Sequence, residues 1–520
     1  MAVNTRSLVQ GTSAQVESLP APLGGWNARD SYANMDPMDA VTLENMFPTV
    51  SNVTLRGGYS KWSTGLDGQV QSLLVYSGGT TEKIFAVTET SKLYNVTSSG
   101  AVGAAVLSSL GNGKWEYVNI TTSGGSFLYA TNGVNAPLLY DGANWTSITG
   151  ISSPIAITGV TTTTLTNVLL FKNRIWFIQK DTLKAWYLPT SAIGGEAQFL
   201  DLSSVCRYGG YLVDFDTWTI DGGFGVDDML AFITSNGEVV VYRGTDPASA
   251  STWALTGVWK FGSPIGNRSM LKYGGDLLVL TYDGLLPMSQ AMQSDRTDSR
   301  VALSDKIQGA IAAATSAYNG VAGWQLVYSA KNNAIMINVP VAVGQQQQYV
   351  MNTITKSWCN FTGWNANCWA NYDDDLYFGG NGYVGKAWDS TYADDGANIV
   401  TNTIQAFNYM GSRGVKKYFT RARPNIFTNG QPGIFVGANL DFNILNNSAP
   451  LTYTPSVYGV WDTGVWDTAL WGSDLDITNN YLGITGIGYC IGLQLKTASS
   501  LLQIEWAATD LVYQTGWSGI

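Results

Sequence analysis

The sequence predicts an all-β chain: a β-propeller body of about seven blade-like repeats, an extended N-terminal arm and an additional C-terminal β domain. Three observations predict it. Helical periodicity is nearly absent; short apolar strands rich in Val, Ile, Tyr, Phe and Trp alternate with Gly, Asn, Asp and Ser clusters; and strand pairs recur at the spacing of one blade over the 520 residues.

In chain order, residues 1–60 hold Pro, Gly and acidic turn signals without steady strand alternation, and read as an extended arm. The repeat then begins. Each unit is an apolar strand, a polar turn and a second strand that often ends in an aromatic residue. The first strands start at Ile84, Phe127, Ile175, Leu230, Leu277, Ala334 and Leu376, 42 to 57 residues apart. A four-stranded blade needs about 40–50 residues, so insertions fill the wider gaps. Seven units fit a closed ring, six or eight would also satisfy so degenerate a pattern, and a β-sandwich array is the plainer alternative. One helix is expected over 302–318, with Ser304 placed to cap it and Ile307, Ile311 and Ala314 on one face. Gln345 to Gln348 reads as a polar loop tip. From about 400 the texture changes to a basic cluster, a tryptophan run and two terminal strands, 492–495 and 501–506. The resulting division is 1–60, 61–400 and 401–520.

Composition excludes much chemistry. There is no histidine, which removes Ser-His-Asp and Cys-His pairs, histidine zinc sites and a histidine general base. Acids outnumber bases 38 to 28, for a formal charge of -10, so a broad basic surface for nucleic acid is disfavoured. Cys206, Cys359, Cys368 and Cys490 form no C-x-x-C pair and read as small hydrophobes of a reducing compartment. No stretch reaches 18 apolar residues and residues 1–25 lack an apolar signal core, so a chain without a membrane segment is expected.

The motifs that carry chemistry are few. No phosphate-binding loop, dinucleotide loop or G-x-S-x-G elbow occurs. Carboxylate pairs remain, at Asp214 with Asp216, Asp227-Asp228, Asp373-Asp374-Asp375 and Asp394-Asp395. A glycosidase needs two such groups, but each candidate flanks a strand where Asp makes turns, and strand neighbours point to opposite faces. Calcium at the 373–375 loop lacks the EF-hand spacing. Trp461, Trp466 and Trp471 recur every five residues and suit a subunit or domain contact, with stacking on sugars or bases as the other use. Arg413, Lys416, Lys417, Arg421 and Arg423 concentrate five bases in eleven residues; an assembly interface facing acidic partners is favoured over phosphate contact. No catalytic residue, cofactor or metal site is expected.

Several stretches resemble one family. Pro22-Leu-Gly-Gly-Trp-Asn-Ala-Arg-Asp30, Met35-Asp-Pro-Met-Asp-Ala40, Glu44-Asn-Met-Phe-Pro48 and Arg56-Gly-Gly-Tyr59 resemble the opening of the tail nozzle proteins of short-tailed bacteriophages, also called tail tubular protein B or packaged-DNA stabilisation proteins. Tyr273 to Ser289, Met351-Asn-Thr-Ile-Thr-Lys-Ser-Trp-Cys-Asn-Phe-Thr-Gly-Trp364 and Leu376-Tyr-Phe-Gly-Gly380 are similar to the family's middle. The resemblance implies a structural virion protein and not an enzyme. It would be made in the host cytoplasm and sit in the virion tail as a homo-hexameric ring below the portal and adaptor. Its implied partners are the tail adaptor protein, tail fibres or spikes, and the genomic double-stranded DNA that the ring retains and then passes. A propeller lectin or glycosidase acting on surface polysaccharide is the competing expectation.

Overall fold

The computed structural model describes residues 14–79, 81–221, 226–291, 301–445, 451, 475–478 and 480–516. The chain forms two compact units. One comprises Tyr59–Lys356 and Phe361–Asp389; the other comprises the chain up to Gly58, Ser357–Asn360 and the chain from Ser390.

The first unit is the β-propeller. Among the described residues its antiparallel strands fall into seven successive sheets. Blade 1 combines the later half of the long strand Gly58–Ser77 with Glu82–Thr88 and Leu93–Asn95. Blades 2, 3 and 4 have four strands each, running over Glu116–Thr122 to Trp145–Ser147, Leu165–Phe171 to Gln198–Asp201, and Leu212–Asp221 to Trp253–Lys260. Blade 5 has three (Met270–Tyr273, Asp276–Thr281, Gly284–Pro287), and blade 6 contributes Gln325–Ser329, Ala334–Ala342 and Gln345–Asn352. Blade 7, Cys368–Tyr372 to Asn381–Asp389, pairs its last strand with the early half of Gly58–Ser77. One strand therefore belongs to both the last blade and the first, and the series closes on itself.

The repeat of apolar runs has a direct cause. The middle strands of a blade are covered on both faces, so they need apolar residues without alternation, and each face serves a different neighbour. Ile84 and Ala86 join Cys368 and Tyr377 of blade 7, while Phe85 and Val87 of the same strand join Leu128 and Tyr140 of blade 2. Ile175 and Phe177 pack on Tyr129 of blade 2; Trp176 and Ile178 pack on Phe215 and Phe232 of blade 4. Met229, Ala231 and Ile233 turn the other way, to Leu277 and Val279 of blade 5. The seven predicted repeat starts all lie on the second strand of a blade.

Three local expectations are corrected. The helix is Gln308–Tyr318, preceded by a 3-10 turn over Asp305–Ile307, and Ser304 makes no side-chain cap. Its hydroxyl instead accepts the Leu285 N–H at 2.9 Å, while Leu303 N–H donates to the Leu285 carbonyl. The segment thereby satisfies the open edge of three-stranded blade 5. Gln345–Asn352 is a strand and not a loop tip, with Gln346 and Gln348 buried. Gln348 donates to Asn338 Oδ1 and the Trp364 carbonyl, and Asn338 donates to the Gly323 and Ala366 carbonyls.

In the second unit Lys417–Thr428 is flanked by Ile504–Thr515 on one side and by Leu482–Gly488 and Asp476–Thr478 on the other. Ile504–Thr515 also carries Gln15–Pro20 and Val53–Leu55. A further set joins Asp39–Glu44, Asn402–Gln405, Ile491–Ser499 and Gly433–Leu440. Of the residues read from the sequence as an extended arm, the described 14–58 are strands and turns of this unit. Gln15–Pro20, Asp39–Glu44 and Val53–Leu55 find partners several hundred positions later, out of reach of local pattern. A buried polar framework fixes them. Asn27 donates to Asp30 and Asp39, and the fully buried Arg56 donates to Asn45, to the Gly57 carbonyl and, through both terminal nitrogens, to Asp394 at 2.9 and 2.6 Å. Gly58 is required because a Cβ there would overlap the Ala393 carbonyl.

Candidate functional site

The predicted basic cluster divides by position: Arg413 and Lys416 precede the strand Lys417–Thr428, Lys417 faces inward at its start, and beyond a register shift at 419–421 Arg421 and Arg423 share its outer face. Lys417 is buried, its ammonium donating to the Ser412 and Tyr489 carbonyls, and burial pushes its pKa below the usual lysine value. Arg423 donates to Asp510 at 2.6 Å and lies over the Tyr481 ring. Lys417 is internal to its sheet and leaves the proposed interface set, whereas Arg423 is paired with Asp510 and stays partly exposed. Arg413, Lys416 and Arg421 are exposed. The first two rest on aromatic rings, Arg413 at 4.6 Å from the Tyr409 centroid and Lys416 at 5.6 Å from that of Tyr489. Trp461, Trp466 and Trp471 lie outside the described residues.

The candidate carboxylates are not brought together as one pair. Asp373 and Asp374 hold left-handed backbone, φ 50° and 58°, in the two-residue turn between strands Cys368–Tyr372 and Asp375–Gly379. Asp375 takes Lys331 and Lys386. Asp228 takes Lys172 at 3.1 Å and Thr219. Asp394 serves Arg56 in the other unit. Among the described residues no group of three His, Cys, Asp or Glu is placed to hold a metal ion, and the four cysteines are unbonded to one another.

What the sequence did not disclose is the axis of the propeller. Arg268, just before the first strand of blade 5, reaches blades 1, 2 and 6. It donates to Glu116 at 2.6 Å, to Ser72 Oγ at 3.0 Å, to the Trp115 carbonyl at 2.9 Å and to Gln325 at 3.3 Å. Gln325 exchanges two further bonds with the Trp369 backbone of blade 7. The next two residues form a second node. Asp214 of blade 4 accepts from Ser269 N–H and hydroxyl, Met270 N–H, its neighbour Phe215 N–H, and Asn167 of blade 3. Residues 268–270, together with Asp214 and Gln325, thus link all seven blades. Burial raises the pKa of Asp214, opposed by these donors, and that of Glu116, opposed by Arg268; burial also pushes Asp216 up to about 6. Two cavities, of about 250 and 390 Å³, border Glu116 and Arg268. Asp214, a candidate carboxylate of the sequence, has hydrogen-bond donors for partners and holds blades together.

No family model matches the chain, and no curated protein matches it. Solved structures with a related arrangement include BBS1N in its complex with ARL6DN. The lead-soaked form has 9% identity and a TM-score of 0.41 over 64% of this chain and 98% of that one. The mercury-soaked form has 9% identity and a TM-score of 0.39 over 62% and 94%. YCF48 bound to a D1 peptide has 10% identity and a TM-score of 0.36 over 64% and 94%. The chain is an all-β protein with a β-propeller body, a class that its own strand order defines.

Proposed function

We propose that the chain is the structural subunit of the tail nozzle of a short-tailed bacteriophage, acting without catalysis as part of a homo-hexameric ring. In this reading it docks below the tail adaptor, carries fibres or spikes, and surrounds the DNA exit path. The observation that carries the reading is where the family-like stretches fall. Asn27, Asp39, Asn45 and Arg56 make the buried polar framework of one unit. Leu277 to Leu280 and Leu376 to Phe378 are buried blade strands of the other. Buried, fully bonded polar groups specify one packing, so a match at these positions speaks for a shared architecture. The propeller axis bears on where DNA would run in this reading. With Arg268 and Glu116 at its centre and cavities of a few hundred Å³, it has no room for a duplex, so a channel for DNA has to lie between copies.

The test is the solution state of the purified full chain. Electron micrographs and native mass should give six-fold rings that match the distal end of intact tails. A monomer that binds or cleaves surface polysaccharide would replace this reading with a propeller lectin or glycosidase.

A further inference from the structure

The C-terminal unit carries a pair of recesses that the reading above does not use. Tyr409, Arg413, Phe442 and Tyr489 line a cavity of about 420 Å³, floored by Asp441 and Cys490. A neighbouring cavity of about 460 Å³ shares Tyr409 and Arg413 and continues to Met35, Pro37 and Phe407. Three non-glycine residues here hold left-handed backbone: Met410 at φ 46°, Asp441 at 48° and Phe442 at 64°. A bulky ring is rarely held this way, and such strain concentrates at functional sites. The Asp441 carboxylate holds the corner in place by accepting Tyr489 and Cys490 N–H, at 2.7 and 3.2 Å.

The strain presents an aromatic row. Phe442 lies 5.0 Å from Phe407 and 6.3 Å from Tyr409, and Tyr32 lies 5.9 Å from Phe407. Two cations stand on the rings at this site, Arg413 on Tyr409 and Lys416 on Tyr489, and neither has a carboxylate partner among the described residues. A guanidinium stacked on a ring keeps its N–H edge free for a carboxylate, and its stacking lowers the ordering cost of binding.

We propose that the double recess docks an acidic peptide segment of a partner protein, whose carboxylates meet Arg413 and Lys416 while its apolar side chains fill the two recesses. Charge complementarity selects this occupant. Exposed bases are scarce on a chain of net charge -10, and that same net charge repels a nucleic-acid polyanion. The recesses, of about 420 and 460 Å³, each have room for a few side chains, which suits a peptide better than a flat duplex. The inference goes beyond the nozzle reading and stands on the geometry of this unit alone.

The test uses the full chain with a fluorescein-labelled heptapeptide of alternating Asp, Phe and Leu, its Lys-for-Asp counterpart, and an oligothymidine. Fluorescence anisotropy is read at about 150 mM salt. The acidic peptide should bind and the basic one should not. Arg413→Glu should weaken binding by about tenfold or more, and Arg413→Lys by less, because the lysine keeps charge and loses the fork. Arg413 is exposed, so the melting temperature of both variants should stay unchanged and separate lost docking from lost folding. No binding of the acidic peptide, equal binding by Arg413→Glu, or tighter binding of oligothymidine would each overturn the proposal.

Discussion

Arg268 shows how much of the propeller rests on one side chain. Its four donated bonds join three other blades, and its side chain and that of Glu116 are 21% and 28% exposed. Removing one partner of a fully buried pair costs about 3–5 kcal/mol, and partial exposure lowers that here to about 2–3 kcal/mol for Arg268→Met. Denaturant titration should show this loss, and Arg268→Met combined with Glu116→Gln should recover part of it. Asp216 gives the axis a pH dependence of defined sign. Burial lifts its pKa to about 6, above the ordinary carboxyl value near 4. The folded state therefore holds the proton more tightly, and this contribution is full below about pH 4 and lost as pH rises through about 6. Asp216→Asn should flatten the melting temperature across that window, and a parallel curve for the variant would refute the assignment. Arg268 is not legible as a hub, because nothing local in the sequence ties it to Ser72, Trp115, Glu116 and Gln325.

At the scale of elements, legibility followed burial. Second strands such as Arg174–Gln179 and Asp276–Thr281 are covered on both faces, so their apolar runs stand out from any loop. The shorter outer strands, and the polar inner strands whose side chains reach the axis, lack that signal. Strands among residues 15–58 were missed for another reason: Gln15–Pro20 finds its partner in Ile504–Thr515, and its own burial is slight. Ser304 reads locally as a helix signal, since serine is a preferred residue at a helix N-cap. Tertiary demand took the hydroxyl for the edge of blade 5. Ser304→Ala should leave the Leu285 N–H buried without its acceptor and cost about 1–3 kcal/mol. Helix content by circular dichroism should not change, whereas loss of a true cap would lower it.

For the whole molecule, charge sets the terms of the nozzle reading. Six copies at -10 each would carry about -60, so a ring around DNA repels the polyanion weakly within a Debye length of about 8 Å at physiological salt. Purified rings should show no duplex binding that steepens as salt falls, and micromolar, salt-sensitive binding would reverse the argument. Arg421 tests assembly cleanly. It is exposed and without an ion pair among the described residues, whereas Lys417 is buried and Arg423 is paired with Asp510. Arg421→Glu should give folded chains with an unchanged melting temperature that fail to form rings. Unaltered rings would move the interface elsewhere.

The strand shared by the first and last blades also fixes a timetable. Trp62, near its start, packs against Tyr377, roughly 300 residues later in the chain. A growing polypeptide would emerge with that edge unpaired and wait through almost the whole propeller before its partner exists. Such an edge invites pairing with a neighbouring nascent chain. Slow translation or a holding chaperone would protect it, and a chain interrupted before Asn381–Asp389 would leave the ribosome with the ring open.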